Sequence, residues 1–171
     1  MDYYINTRLF TLIPTEVYNS KIAEEYIKEH FNVSDKLDYF DISIPAYNAI
    51  LGFYAEYPKC EQNNQYPIIY KLIQESEQLQ PYNKVLVHYS AEDKLTNLLI
   101  VTGNKLQLAN IYNTENFNSL LYYIFAGLKK LQINPKQTHI MIYNPICKEE
   151  EELLKRYFHN IEVKPIAELL K

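Results

Sequence analysis

The sequence predicts an α/β protein with a mixed sheet, and residues 84 to 165 carry most of that prediction. Three apolar runs in this stretch are followed by a long amphipathic helix, a fourth apolar run, a second helix and a short last run, in the order β-β-β-α-β-α-β. The second and third runs, LTNLLIVT and KLQLANIY, are joined by Gly103-Asn104, a two-residue loop whose glycine supplies the positive φ of a tight hairpin. The helix after them has Phe117, Leu120, Leu121, Ile124, Phe125, Leu128 and Leu131 on one continuous stripe.

Taken in order, RLFTLI at 8 to 13 reads as a short strand stopped by Pro14. A helix follows, capped by Asn19 or Ser20, with Ile22, Ala23, Ile27 and Phe31 on its inner face and Glu24, Glu25 and Lys28 turned to water. His30 near its end complements the helix dipole from the surface. LDYFDISI at 37 to 44 and AYNAILGFYAEY after Pro45 are β-like, a hairpin or two adjacent strands, and lone Gly52 marks a bulge or a close backbone approach. CEQNNQYP at 60 to 67 is a polar loop. Pro67 opens a helix carrying Ile68, Ile69, Leu72, Ile73 and Leu79, which Pro81 ends.

In the hairpin, the two-residue loop sets Thr102 opposite Lys105, Val101 opposite Leu106 and Leu99 opposite Leu108, which places four large aliphatics on one face. Leu98, Ile100, Gln107 and Ala109 lie on the other. Both faces are apolar enough to need helices. Thr114 or Asn113 caps the stripe helix, in which Gly127 marks close packing on the sheet. Asn134-Pro135 breaks the chain, HIMIYN is a strand, and Pro145 opens a helix with Glu149 to Glu152 at its positive end and Lys155 and Arg156 at its negative end.

Composition bounds the function. A chain of 171 residues buries about 70% of its unfolded surface and needs no staples. Cys60 and Cys147 stand far apart at no metal-like or redox-like spacing, which argues for a reducing compartment. MDYYINTRLF shows no leader and no apolar run is long enough to span a bilayer, so the expectation is a cytoplasmic protein without membrane insertion. A net charge of -4 and no basic cluster beyond a pair disfavour nucleic acid. Without a glycine-serine linker the chain is expected to be one compact body of two packed parts, 1–82 and 83–171.

The strand order is that of ribonuclease H-like nucleases and of the subdomains of actin-like ATPases. A two-metal nuclease needs carboxylates on the first strand and at the end of the fourth. Val85 to Tyr89 and Tyr143-Asn144 stand there instead. An actin-like ATPase needs a glycine-rich phosphate turn after the first strand and a Gly-Gly turn before the last helix. Ser90-Ala91-Glu92-Asp93 and Asn144-Pro145 occupy those places, in a chain with three glycines. Cys147 at a helix start is an ordinary helix-start residue, His88 and His139 are satisfied sheet residues, and His159 is on the surface.

RLFTLIPTEVYNSKIAEEYI, YNAILGFYAEYP and the hairpin and helix from Asn97 to Leu131 resemble a Bacteroidetes family, domain of unknown function 3822. Its members look like degenerate actin-like ATPases similar to the pilus assembly protein PilM. The resemblance implies a further segment ahead of the FTLIP strand, with the first half's own meander and phosphate turn, which this sequence does not show. It implies no catalytic, cofactor or metal residues. The expected function is a non-enzymatic actin-like scaffold without cofactor, working through a protein partner or as a homodimer, with Tyr39, Phe40, Phe53 and Tyr54 near the contact. An ATP-binding PilM-like ATPase is the alternative, and a nuclease comes last.

Overall fold

The structure is a computed structural model and describes residues 3–34, 36–55 and 65–170. Cys60 and the polar loop up to residue 64 lie outside the described residues. The chain divides into two compact units, Met1–Tyr70 and Lys71–Lys171, whereas the sequence reading draws the division at 82/83.

The first unit runs β1 (Tyr3–Ile5), β2 (Phe10–Pro14), α1 (Ser20–Phe31), β3 (Asp38–Ile44), β4 (Ala49–Ala55) and β5 (Gln65–Pro67), followed by the start of α2 (Ile68–Gln78). β1, which the sequence reading left out, pairs parallel with β5. β2, β4 and β3 form an antiparallel sheet in that order. Asn19 caps α1: its Oδ1 accepts from the backbone N–H of Lys21 at 3.0 Å and of Ile22 at 3.4 Å. The helix lies on β2 and β4 and buries Ala23 and Ile27. Ile22 and Phe31 were expected on that face and are exposed. Successive helix positions are rotated by about 100°, and the seam on a three-stranded sheet is too narrow to take Ile22 beside Ala23.

β4 is the central strand, with Leu51, Phe53 and Tyr54 fully buried. Its register with β3 runs without a bulge from Asp38↔Ala55 to Ile44↔Ala49. Gly52 therefore marks the close approach and not the bulge: a Cβ there would collide with the Tyr39 hydroxyl. Phe53 and Tyr54 are each about 1% exposed. They belong to the chain's own core and are not surface for a partner, a correction that follows from β4 being flanked on both sides.

The second unit contains the rest of α2, then β6 (Asn83–Ser90), β7 (Leu95–Thr102), β8 (Lys105–Asn113), α3 (Phe117–Lys130), β9 (Thr138–Tyr143), α4 (Lys148–Lys155), β10 (Asn160–Lys164) and α5 (Ile166–Leu169). Its five-stranded sheet is ordered β10-β9-β6-β7-β8, antiparallel from β6 to β8 and parallel from β6 to β10. The sequence pattern predicts a mixed five-stranded sheet in which the strands of this stretch, counted from β6, are ordered 3-2-1-4-5, and the structure has that order. Gly103 takes φ +56°, and the hairpin pairs Thr102 with Lys105 and Val101 with Leu106 as expected. Beyond that, a bulge between Ile100 and Val101 shifts the register, so Leu99 faces Ala109 and Ile100 faces Leu108. The extra residue on β8 is Gln107.

One sheet face, with Val85, Val87, Leu98, Ile100, Ile140 and Ile142, packs against α3 and α4. α3 buries Phe117, Leu120, Leu121, Ile124, Gly127 and Leu128, and Phe125 stacks on Phe158. A Cβ at Gly127 would stand 2.8 Å from Ile100 Cδ1, so this glycine lets helix and sheet approach. The other face is held by α2. Lys84, 6% exposed, donates from Nζ to the Ser76 and Leu79 carbonyls at 3.1 and 3.0 Å, and the Tyr143 hydroxyl donates to Glu75 Oε1 at 2.8 Å. Helices cover both faces, as the aliphatic pattern required.

Three local expectations move. α3 is capped by Asn116, whose Oδ1 accepts from Ser119 N–H at 3.0 Å; Thr114 instead bonds the buried Thr96 hydroxyl at 2.8 Å. α4 begins at Lys148, because Glu150 Oε2 accepts the Cys147 backbone N–H at 2.8 Å and fixes the start there, not at Pro145. Pro67 is the last residue of β5 and precedes the helix it was expected to open.

Leu121→Asp should abolish cooperative thermal unfolding, because a carboxylate buried in this core without a partner costs several kcal/mol; a wild-type melting curve would contradict the packing of α3. Gly52→Ala should destabilise by about 1–3 kcal/mol, and in a Tyr39→Ala background most of that loss should vanish. Denaturant unfolding of the four proteins of that cycle measures the coupling.

Candidate functional site

In open sheets with parallel strands, ligands bind outside the carboxyl ends of those strands. Here the ends are Ser90 of β6, Tyr143 of β9 and Lys164 of β10, with Tyr143 registered against His88 on one side and Lys164 on the other. The two turns singled out in the sequence, Ser90–Asp93 and Asn144-Pro145, both leave from this edge.

Asn144 takes φ +120°, backbone that glycine adopts freely and other residues adopt at a cost of roughly 1–3 kcal/mol. Two hydrogen bonds offset that strain. Its backbone N–H donates to the Lys164 carbonyl at 3.0 Å, and its Nδ2 donates to the Tyr89 carbonyl at 2.7 Å. The position keeps a glycine-like backbone while its side chain bridges from the end of β9 to the end of β6.

The turn after β6 is closed on itself. Ser90 Oγ donates to Asp93 Oδ2 at 2.8 Å and accepts from the Asp93 backbone N–H at 3.2 Å. Lys94, at φ +53°, has its carbonyl engaged by Thr114 N–H at 2.9 Å. One backbone donor that would have to reach a phosphate is thus spent inside the turn, and Glu92 and Asp93 are exposed beside it.

His88 lies behind this turn, 3% exposed, and accepts at Nδ1 from Asn97 Nδ2 at 3.2 Å. An amide nitrogen only donates, so the imidazole is the neutral tautomer protonated at Nε2. Burial lowers its pKa to about 4, against the opposing charge of Asp93. His139 Nε2 is 3.0 Å from Glu162 Oε1 across β9 and β10, and His159 is exposed. Burial, then its bond to Glu75, raises the Tyr143 pKa. Cys147 is exposed. The Glu150 backbone N–H pulls its thiol pKa down, but desolvation and the carboxylates of Glu149 and Glu150 outweigh it and the net direction is up. The helix start thus disfavours a thiolate. The sequence reading missed the Asn144 bridge; the signal was an Asn where a glycine turn was expected, since Asn tolerates positive φ best among the other residues.

Among the described residues no three His, Cys, Asp or Glu side chains are grouped to hold a metal ion, and no helix is long and apolar enough to cross a membrane. A concavity of about 650 Å³ lies at the opposite end of the sheet between residues 77–82 and the β7–β8 hairpin. Lys84 on its wall is committed to the α2 carbonyls.

The family model for proteins of unknown function DUF3822 matches residues 3–161. This chain belongs to the DUF3822 family. A crystal structure from Bacteroides thetaiotaomicron VPI-5482, at 1.85 Å, described as a protein with actin-like ATPase fold and unknown function, superposes with a TM-score of 0.82 at 16% identity. The match covers 99% of this chain and 72% of that one. At that identity it shows the fold: this DUF3822 chain has the actin-like ATPase fold. No curated protein matches.

His88 gives a pH signature. An unfolded histidine takes a proton near pH 6.5 and the folded one near 4, so the unfolded state binds more protons between those values and stability falls as pH drops through that window. The loss attributable to His88 approaches roughly 3 kcal/mol. His88→Gln keeps an acceptor for Asn97 and should flatten that part of the profile in urea titrations at pH 7, 6, 5 and 4; an unchanged difference between pH 7 and pH 4 would refute the assignment.

Proposed function

We propose that this chain is a non-enzymatic actin-like scaffold that works through protein contacts. The observation that carries this reading is the Asn144 bridge, together with the self-closed turn beside it. Phosphoryl transfer is mostly positioning and charge neutralisation, and the carboxyl ends of the parallel strands, where open sheets bind ligands, carry carboxylates, a carbonyl-bonded amide and Pro145. The residues do not fit a nucleotide: Glu92 and Asp93 could accept a metal ion but repel phosphate, and Pro145 lacks a backbone donor. Support for a contact role comes from the sheet edges that β2 and β3 present and from exposed Ile22, Tyr26 and Phe31 on α1.

A second reading, an ATP-binding relative of PilM-type pilus assembly proteins, is favoured by the actin-like fold and by the glycine-like backbone retained at Asn144. Calorimetry separates the two. With ATP and magnesium the scaffold reading expects no binding tighter than about millimolar, near -4 kcal/mol. A micromolar signal lost in Asp93→Ala would reverse the conclusion in favour of the ATPase.

A further inference from the structure

The described sheets end in six edge strands, and they differ in what they offer a partner. β1 and β5 are three residues long. β2 ends in Pro14, which has no N–H to give. β8 carries the Gln107 bulge. β10 has Glu162 and Lys164, whose charged groups lie 3.4 Å apart. β3 is seven residues long, is bulge-free against β4, and has neither proline nor basic residue.

Its two acids set it apart further. Asp38 and Asp41 are the only charged residues in β2, β3 and β4, and both are exposed. Being three positions apart, they project to opposite faces of the sheet. Tyr18 donates to Asp41 Oδ2 at 2.6 Å, which fixes that carboxylate beside the edge. A second copy of the chain is a poor occupant. Asp41 is the central residue of β3, so the two-fold antiparallel pairing that uses the whole strand would set Asp41 against its own copy, and like charges directly opposite destabilise a strand pair.

Resting on the scaffold reading, we propose that β3 is a docking strand for an extended basic segment of a partner protein. The segment adds by main-chain hydrogen bonding to the edge of β3 that no strand among the described residues pairs and carries two cationic side chains three residues apart, one for each face. The spacing is the specific part: a strand with lysines at alternate positions would offer both charges to one face and meet only one aspartate.

The test uses the full chain, labelled with nitrogen-15, and two capped heptapeptides of valine and threonine. One has lysines at its second and fifth positions, the other glutamates at the same places. Saturable shifts of the amides of residues 38–44 are expected with the lysine peptide, and binding about tenfold weaker with the glutamate peptide. The preference should shrink in high salt. The double variant Asp38→Asn, Asp41→Asn retains an acceptor for Tyr18, and its spectrum outside β3 verifies the fold; it should bind both peptides alike. Equal binding of the two peptides to the wild-type chain, or binding of neither, overturns the proposal. So does self-association of the double variant with no peptide binding by the wild type, since the acids would then only guard the edge. Micromolar ATP affinity would count against the scaffold reading and leave the peptide preference of β3 standing.

Discussion

The sheet of the second unit is apolar on both faces, and everything around it answers to that. Val85, Val87, Leu98 and Ile100 on one side and Leu86, Leu99 and Met141 on the other are each no more than 1% exposed. No arrangement that leaves one of these faces in water is stable, because each such side chain contributes about 1.5–3 kcal/mol on burial. α3 and α4 close one face. α2 closes the other, and Lys84 makes that closure specific, since a buried ammonium has to find acceptors and the last carbonyls of α2 supply them. Burial lowers the Lys84 pKa, in keeping with an ammonium held away from water.

How much of this was legible follows from the kind of signal each part leaves. The strand order of the second unit, the hairpin turn and the α3 stripe were readable, because periodicity and a Gly-Asn turn are local and strong. The register past Val101 was not. A bulge adds one residue to one strand, and nothing in KLQLANIY distinguishes Gln107 as the extra one. Caps were missed by a few residues, since Thr114 and Asn116 are both good caps in isolation and only the buried Thr96 hydroxyl decides between them. β1 and β5 were missed because three residues are too few to show a period, and the exposure of Ile22 and Phe31 reflects the narrow sheet beneath α1.

The candidate site was legible as a set of substitutions and not as geometry. From the sequence, Ser90–Asp93 and Asn144-Pro145 are turns lacking the glycines that phosphate and adenosine demand. The structure adds how the space is used: Asn144 adopts the backbone of the missing glycine and spends its amide on Tyr89, while Ser90 and Asp93 bond each other. The polar groups of both turns are engaged with the fold itself. Burial, against the opposing charge of Asp93, leaves His88 neutral behind the turn.

The hydroxyl of Tyr143 on Glu75 has an optical consequence. With 17 tyrosines and no tryptophan, the near-ultraviolet spectrum of this protein is a tyrosine spectrum throughout. A phenol in water ionises at about pH 10 and shifts its absorbance as it does so. Tyr143, buried and bonded to a carboxylate, keeps its proton as long as the contact between α2 and β9 holds, as does Tyr18 on Asp41 in the other unit, where burial and then the Asp41 bond raise its pKa. Burial raises Tyr39, Tyr54 and Tyr89 as well, so the late-ionising part of the absorbance belongs to rings held in the folded units, and the chain carries a built-in chromophore for the integrity of each.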